Sequence, residues 1–423
     1  MNELKTKMYE SLLSLSNDEG IYASGKEEVY GCLFGRDTAI TVLKLLKVAE
    51  RSGDPKLFDI SKKGLKALVS CQGQEFNIES GEQPGKFIHE LRKDGYERLV
   101  KLEKPWFVYP DNILRNYDSV DSTPLALNAI WTYWNLTKDE EFMRLAEPAV
   151  EKGISWITTY GDMDHDGIVE YELDPKRTFG GLAVQSWTDS NESLRNQDGV
   201  FPKYPIAPVE TQAFAWLALT EWAGYFKNKK PAFAEMIGKK ADEMKSAFNE
   251  KFLIEDDGLC FAAQALDGNK IRINTLTANP LLALWSAHRR KNGKIECIFS
   301  DETVNDVVLR VFKEDFFDEE AGIRTMSNRS KTYNSGADSY HNGSFWPMLN
   351  GLVYEGLLNF GYVLEAFKLK KASLKPIKYF GSPIELYLRN SDSYMEYRSP
   401  SGQTSCRTQA WSAASILHML SGS

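Results

Sequence analysis

Cysteine is scarce and scattered. Cys32, Cys71, Cys260, Cys297 and Cys406 include no CxxC pair, so neither a disulfide framework nor a zinc site is suggested. Histidine is equally thin, at five copies in 423 residues, which weighs against chemistry run by histidine acid–base pairs, such as sugar epimerisation. No apolar run approaches the length needed to span a bilayer. The opening MNELKTKMYESLLSLSNDEG reads as an amphipathic helix rather than an apolar signal segment, so a cytoplasmic protein is the expectation. Basic charge is not in excess: 51 Lys and Arg against 59 Asp and Glu give a net charge of −8. That balance leaves no electrostatic footprint for nucleic acid or an anionic membrane. A soluble globular enzyme with a neutral or weakly charged partner fits what remains.

Helical periodicity is what the chain has in abundance. Apolar spacing and cap signals predict helices over 2–15, 37–53, 55–71, 122–136, 138–160, 209–226, 230–252, 279–290, 301–313, 344–360, 362–378 and 408–420. RSGDP punctuates the second from the third, and Thr137 is expected to cap the fifth. PWFVYP and GIVEYEL read as short loop hairpins rather than parts of a sheet. The even-numbered helices are rich in small and apolar residues, as in ETQAFAWLALTEWAGYF, and read as enclosed on every side; the odd-numbered ones keep a polar face. Six helical hairpins closed in a ring follow, giving an all-α (α/α)6 barrel, a six-hairpin toroid, as a single domain over 1–423.

In such a ring the loops entering the even helices emerge at one end. They are CLFGRDT, NYDSVDST, QSWTDSNES, NTLTANP, SYHNGSFWP and YMEYRSPSGQTSCRTQ. Capping accounts for their Ser, Thr, Asp and Asn, but not for tryptophan, histidine and paired carboxylates. Trp106, Trp187, Phe345 and Trp346 can floor a site in which aromatic faces stack on a sugar ring while polar groups take its hydroxyls.

Glycoside hydrolysis needs one protonated and one ionised carboxyl. Asp189 lies two residues from Trp187, and an indole strips hydration from a carboxylate and raises its pKa, as a general acid requires. Glu396, flanked by Tyr394 and Tyr397 in the loop before the twelfth helix, is the expected general base. Glu192 is the rival for the acid role. Arg36 and Asp37 read as a hydroxyl clamp in which the arginine keeps the carboxylate pKa low. Glu90, Asp118, Asn342, Gln409, His89 and His341 are further substrate-binding candidates, alongside Trp187 and Trp346. Asp162, Asp164 and Asp166 followed by Gly167 imitate the start of a calcium loop, but the twelfth position is Leu173 and no helix pair flanks it, so a metal-free polar hairpin is preferred to a structural Ca2+ site.

Taken together and in order, FGRDT (34–38), QPGKFIHELR (83–92), YDSVDSTPLAL (117–127), SWTDSNES (186–193), YHNGSFWP (340–347), GSPIELY (381–387) and SCRTQAWSAASIL (405–417) resemble the amylo-α-1,6-glucosidase family, the glucosidase domain of glycogen debranching enzymes. Mannosyl-oligosaccharide glucosidases and glucosylglycerate hydrolases are more distant relatives. The resemblance implies an (α/α)6 barrel, inversion at the anomeric carbon and no required cofactor. It places the general acid at Asp189, the base at Glu396 and a sugar-holding pair at Arg36 and Asp37. The expected activity is exo-hydrolysis of α-linked gluco-oligosaccharides, with the carboxyl groups roughly 6.5–9.5 Å apart. Alternatives are hydrolysis of a small glycoside such as glucosylglycerate, mannosylglycerate or trehalose, and a catalytically silent glycan-binding protein.

Overall fold

The computed structural model describes residues 2–422, and among them are twelve α-helices. The even-numbered ones are α2 (Gly35–Ser52), α4 (Ser122–Thr137), α6 (Val209–Phe226), α8 (Leu282–Trp285), α10 (Pro347–Asn359) and α12 (Ala410–Ser421). Their packing returns to its start: α2 lies against α4, α4 against α6, α6 against α8, α8 against α10, α10 against α12, and α12 against α2. The odd-numbered helices are α1 (Asn2–Leu15), α3 (Pro55–Ser70), α5 (Glu140–Thr159), α7 (Pro231–Lys251), α9 (Asp301–Val311) and α11 (Val363–Phe380).

Sequence decides which helices are enclosed. In α6, Val209 to Trp216 are buried without a break, as all-round apolar character requires. In α7, burial is confined to Ala234, Ile237, Ala241, Met244 and Phe248. That three-and-four spacing is one helical stripe, so α7 packs one face against α6 and leaves lysines and glutamates to solvent. Removing the Phe248 ring would cost about 3–5 kcal/mol.

The boundary between α2 and α3 follows the RSGDP signal closely. Gly53 ends α2 with φ 69°, a left-handed position that favours glycine. Asp54 then accepts from the Lys56 amide at 2.9 Å, ahead of Pro55 in the first turn of α3. Two expectations fail. The cap of α5 is Asp139, which accepts from the Phe142 amide at 3.0 Å, while Thr137 closes α4 and donates to the Tyr133 carbonyl. The eighth helix stops at Trp285 because Asn292–Gly293, with Gly293 at φ 85°, turns the chain into a hairpin pairing His288–Arg289 with Ile295–Glu296.

Strands are two to four residues long and form sheets of two or three strands at the ends of helices. PWFVYP and GIVEYEL form no strands; the second contributes one bridge, Tyr171 to Ile206.

Candidate active site

A three-stranded antiparallel sheet joins Leu33–Phe34, Glu90–Arg92 and Leu114–Asn116 just before α2. Gly35 starts that helix against it: a Cβ there would sit 1.8 Å from the Ile88 carbonyl oxygen, so no side chain fits. The first turn of α2 therefore fixes Arg36 and Asp37. Arg36 is buried, and its guanidinium donates through Nε to Asp121 Oδ2 at 2.8 Å and through Nη1 to Asp189 Oδ2 at 3.0 Å. Ser119 accepts its third bond, at 3.4 Å.

Around these groups lies a cavity lined by Tyr30, Phe34, Arg36, Asp37, Trp187, Asp189, Tyr340, His341, Trp346, Glu385, Gln409 and Trp411. All belong to segments before or at the starts of α2, α6, α10 and α12. The walls are aromatic: Trp187 meets Trp346 edge-on at 5.7 Å, Trp346 meets Trp411 at 6.0 Å, and His341 stacks on Trp346 at 5.0 Å. Several buried polar atoms of the lining have no partner, namely Trp187 Nε1, Trp411 Nε1, Gln409 Oε1 and His341 Nε2. Each such atom costs about 1–3 kcal/mol, which a ligand rich in hydroxyls recovers. The His341 case can be taken further. Its Nδ1 accepts from the Ser190 amide at 3.4 Å and lies 2.9 Å from the Ser190 hydroxyl, while burial holds the imidazole well below its usual pKa. The ring is neutral and its proton is on Nε2, ready to donate.

Three carboxyls share the cavity, and burial raises all of them. Asp189 is pushed above the usual carboxylate range by burial, against the lowering pull of Arg36. Glu385, fully buried, is raised to about 7, although the Tyr340 hydroxyl and the Cys406 amide both donate to it, the latter at 2.9 Å. Asp37 reaches about 8 through burial. The expected low pKa for Asp37 is therefore corrected: the bonds of Arg36 go to Asp121, Asp189 and Ser119, and Asp37 instead accepts from Gln409 Nε2 at 3.2 Å.

Glu396, the expected base, sits elsewhere. It pairs with Tyr387 across a hairpin of Tyr387–Arg389 and Tyr394–Glu396, and its carboxylate forms an ion pair with Arg407 Nε at 2.9 Å. It does not line the cavity that holds Asp189. Glu385 occupies that wall.

A second cavity opens beside the first and shares Tyr30, Phe34, Asp189 and Tyr340 with it. Of the expected residues, His89, Glu90 and Trp106 line it, together with Arg92, Arg98, Tyr397 and Gln403. Burial keeps His89 neutral, and Glu90 is engaged by Arg92. Besides Glu396, four expected residues lie outside both cavities. Asp118 is a buried anchor for Arg177, at 2.7 Å. Glu192 is exposed and 3.5 Å from Arg195, so it is no rival for the acid role. Asn342 donates to the Glu192 and Thr332 carbonyls and ties two loops together. Phe345 stacks on Tyr387 at 5.7 Å.

The carboxylates of Asp162, Asp164 and Asp166 converge within 4.8 Å of one another. Lys270 reaches Asp164 at 3.0 Å and Asp166 at 3.1 Å, and Lys251 reaches Asp166 at 2.6 Å. Ammonium groups thus supply the positive charge that a calcium ion would bring.

Sequence reasoning did not single out Glu385, Tyr30, Phe34, Tyr340 or Trp411. All but Tyr30 stand inside motifs quoted above, so the signal was present without the fold to rank it.

The model of the family described as amylo-alpha-1,6-glucosidase matches residues 108–418. Among solved structures, the GH63 mannosylglycerate hydrolase from Thermus thermophilus in complex with Tris is similar at 14% identity and a TM-score of 0.64, over 98% of this chain and 99% of that one. The same enzyme with Tris and D-glycerate gives 12% and 0.64 over the same shares. Its complex with glucose gives 14% and 0.62, again over 98% and 99%. At these identities the likeness is one of fold. No curated protein sequence matches the chain significantly.

Proposed function

From a chain that belongs to the amylo-alpha-1,6-glucosidase family and is a glycoside hydrolase, we propose an inverting, exo-acting α-glucosidase built as one (α/α)6 barrel. Asp189 is the general acid and Glu385, in place of Glu396, the general base. The observation that carries this reading is that Asp189 and Glu385 line one cavity, whereas Glu396 is turned to Arg407 outside it. Asp189, whose pKa burial raises, gives its proton to the glycosidic oxygen when protonated. Glu385, in its ionised form, takes a proton from the water that attacks the anomeric carbon on the opposite face. The inner cavity holds the terminal sugar against Trp187, Trp346 and Trp411, with Asp37, Gln409 and His341 on its hydroxyls. The outer cavity holds the leaving group. Both steps move protons among carboxyls, sugar and water, so the reaction requires no cofactor.

A second reading, hydrolysis of a small glycoside with an acidic aglycone, is favoured by one feature. Arg98 lines the outer cavity beside Asp189, and its guanidinium donates to the Val29 carbonyl without a carboxylate partner among the described residues. It can meet an anionic aglycone such as glycerate, a ligand named in one structure of the mannosylglycerate hydrolase.

Proton NMR of the first product tests inversion: an α-linked substrate should release the β-sugar, and release of the α-anomer overturns it. A hydrolysis screen of isomaltose, panose, limit dextrin, trehalose, glucosylglycerate and mannosylglycerate separates the two substrate readings.

A further inference from the structure

Active-site residues stand at the N-terminal ends of the even helices. The C-terminal ends of the same helices surround another cavity. Its lining comes from five of the six: Leu43 and Lys47 from α2, Asn128 and Trp131 from α4, Leu217 and Glu221 from α6, Trp285 and Ser286 at the end of α8, and Glu355 from α10. A buried ion pair closes it inward, with Lys44 2.6 Å from Glu355, and Trp285 Nε1 donating to the same carboxylate at 3.1 Å. The catalytic cavity shares none of these residues.

We propose that this far mouth is a second binding site, for a free neutral aldohexose. Two buried polar groups of the lining lack a partner. Asn128 spends its amide nitrogen on the Phe214 carbonyl at 3.0 Å and leaves Oδ1 unpaired, and the Ser286 hydroxyl is unpaired as well. Both accept from hydroxyl groups, and both are more than nine-tenths buried. Apolar contact comes from Leu43, Leu136, Leu217 and Ile295, while Trp131 is partly buried and engages no other ring among the described residues.

Charge argues for a neutral ligand. Lys44 at 2.6 Å and Lys47 at 3.7 Å both face Glu355, Glu221 is matched by His288 at 2.9 Å, and Glu50 and Arg289 stand at the rim, so cations and anions around the cavity are in near balance. Helix C-termini carry partial negative charge and further favour ligands that donate hydrogen bonds. A ring with one apolar face and hydroxyls around its edge meets every one of these conditions. The site stands on its own geometry and does not depend on which glycoside is hydrolysed.

The experiment is fluorine NMR of the full chain with its ten tryptophans replaced by 5-fluorotryptophan. Trp131→Phe and Trp285→Phe assign the two signals of interest, and D-glucose, D-mannose and glycerol are titrated separately. One of the hexoses should shift the Trp131 and Trp285 signals along a saturating curve whose midpoint differs from that of Trp187, Trp346 and Trp411, and glycerol should not. Trp131→Ala should weaken that response at least tenfold while hydrolysis stays within twofold of wild type. Signals of Trp131 and Trp285 that stay fixed through 100 mM of both hexoses overturn the proposal, as does movement only in step with the catalytic-cavity set or an equal response to glycerol. The wild-type titration decides the matter even if the Ala variant fails to fold.

Discussion

Arg36 Nη1 lies 3.0 Å from Asp189 Oδ2, while Nε of the same guanidinium holds Asp121 at 2.8 Å. One buried cation thus joins the start of α2, the start of α4 and the loop before α6. It also opposes the burial that raises the Asp189 pKa. Burial and Arg36 pull Asp189 in opposite directions, so changes around it should read out in pH dependence as well as in rate.

Replacing Asp189 with Asn should lower kcat by about 10²–10⁴ on a natural glycoside. The loss should shrink on a 4-nitrophenyl glycoside, whose leaving group needs little protonation. Equal losses on both substrates would deny Asp189 its role as acid.

Glu385 sets the acidic limb of kcat/KM in this account, since it must be ionised to act and its pKa is raised to about 7. The Tyr340 hydroxyl donates to the carboxylate and lowers that value. Tyr340→Phe removes a bond made to the charged form, so the pKa rises and the limb moves to higher pH. A limb that moves downward or stays put speaks against Glu385 as the base.

Glu210, at the start of α6, is fully buried with both carboxylate oxygens unpartnered, and burial raises its pKa from 4.5 to about 7. A folded-state value above the unfolded one means the contribution to stability is whole below pH 4.5 and is lost as pH rises through 7. Glu210→Gln should therefore leave stability nearly unchanged at pH 4 and raise it at pH 8 by on the order of 3 kcal/mol. Urea unfolding at both values measures this, and a variant equally stable or weaker at pH 8 contradicts it.

Asp118 accepts from Arg177, from Asn116 Nδ2 at 2.9 Å and from the Leu182 amide at 3.0 Å, and none of these residues lines the inner cavity. Asp118→Asn strands a buried guanidinium and should cost about 3–5 kcal/mol of stability. The KM of the folded variant should hold near wild type; a selective rise in KM would restore Asp118 to substrate binding.

Much of this was legible in the chain. The stripe through Ala234, Ile237, Ala241, Met244 and Phe248 repeats at helical spacing, and RSGDP states both a stop and a start. Other features depended on contacts between segments far apart in sequence. The turn at Asn292–Gly293 overrode the apolar pattern of the eighth helix. Asp37 neighbours Arg36 in sequence, yet the guanidinium turns to Asp121 and Asp189, which no local pattern announces. Glu385 and Glu396 stand in the same connection between α11 and α12, the first two residues before Tyr387 and the second next to Tyr397. Only the hairpin register, which sets Glu396 opposite Tyr387 and within reach of Arg407, shows which of them faces Asp189.

The most direct measurement compares Glu385→Gln and Glu396→Gln on one substrate at the wild-type pH optimum. The account predicts that Glu385→Gln loses about 10²–10⁴ in kcat with sugar binding largely retained, and that Glu396→Gln stays within about tenfold of wild type. The reverse, an active Glu385→Gln beside a silent Glu396→Gln, would contradict it.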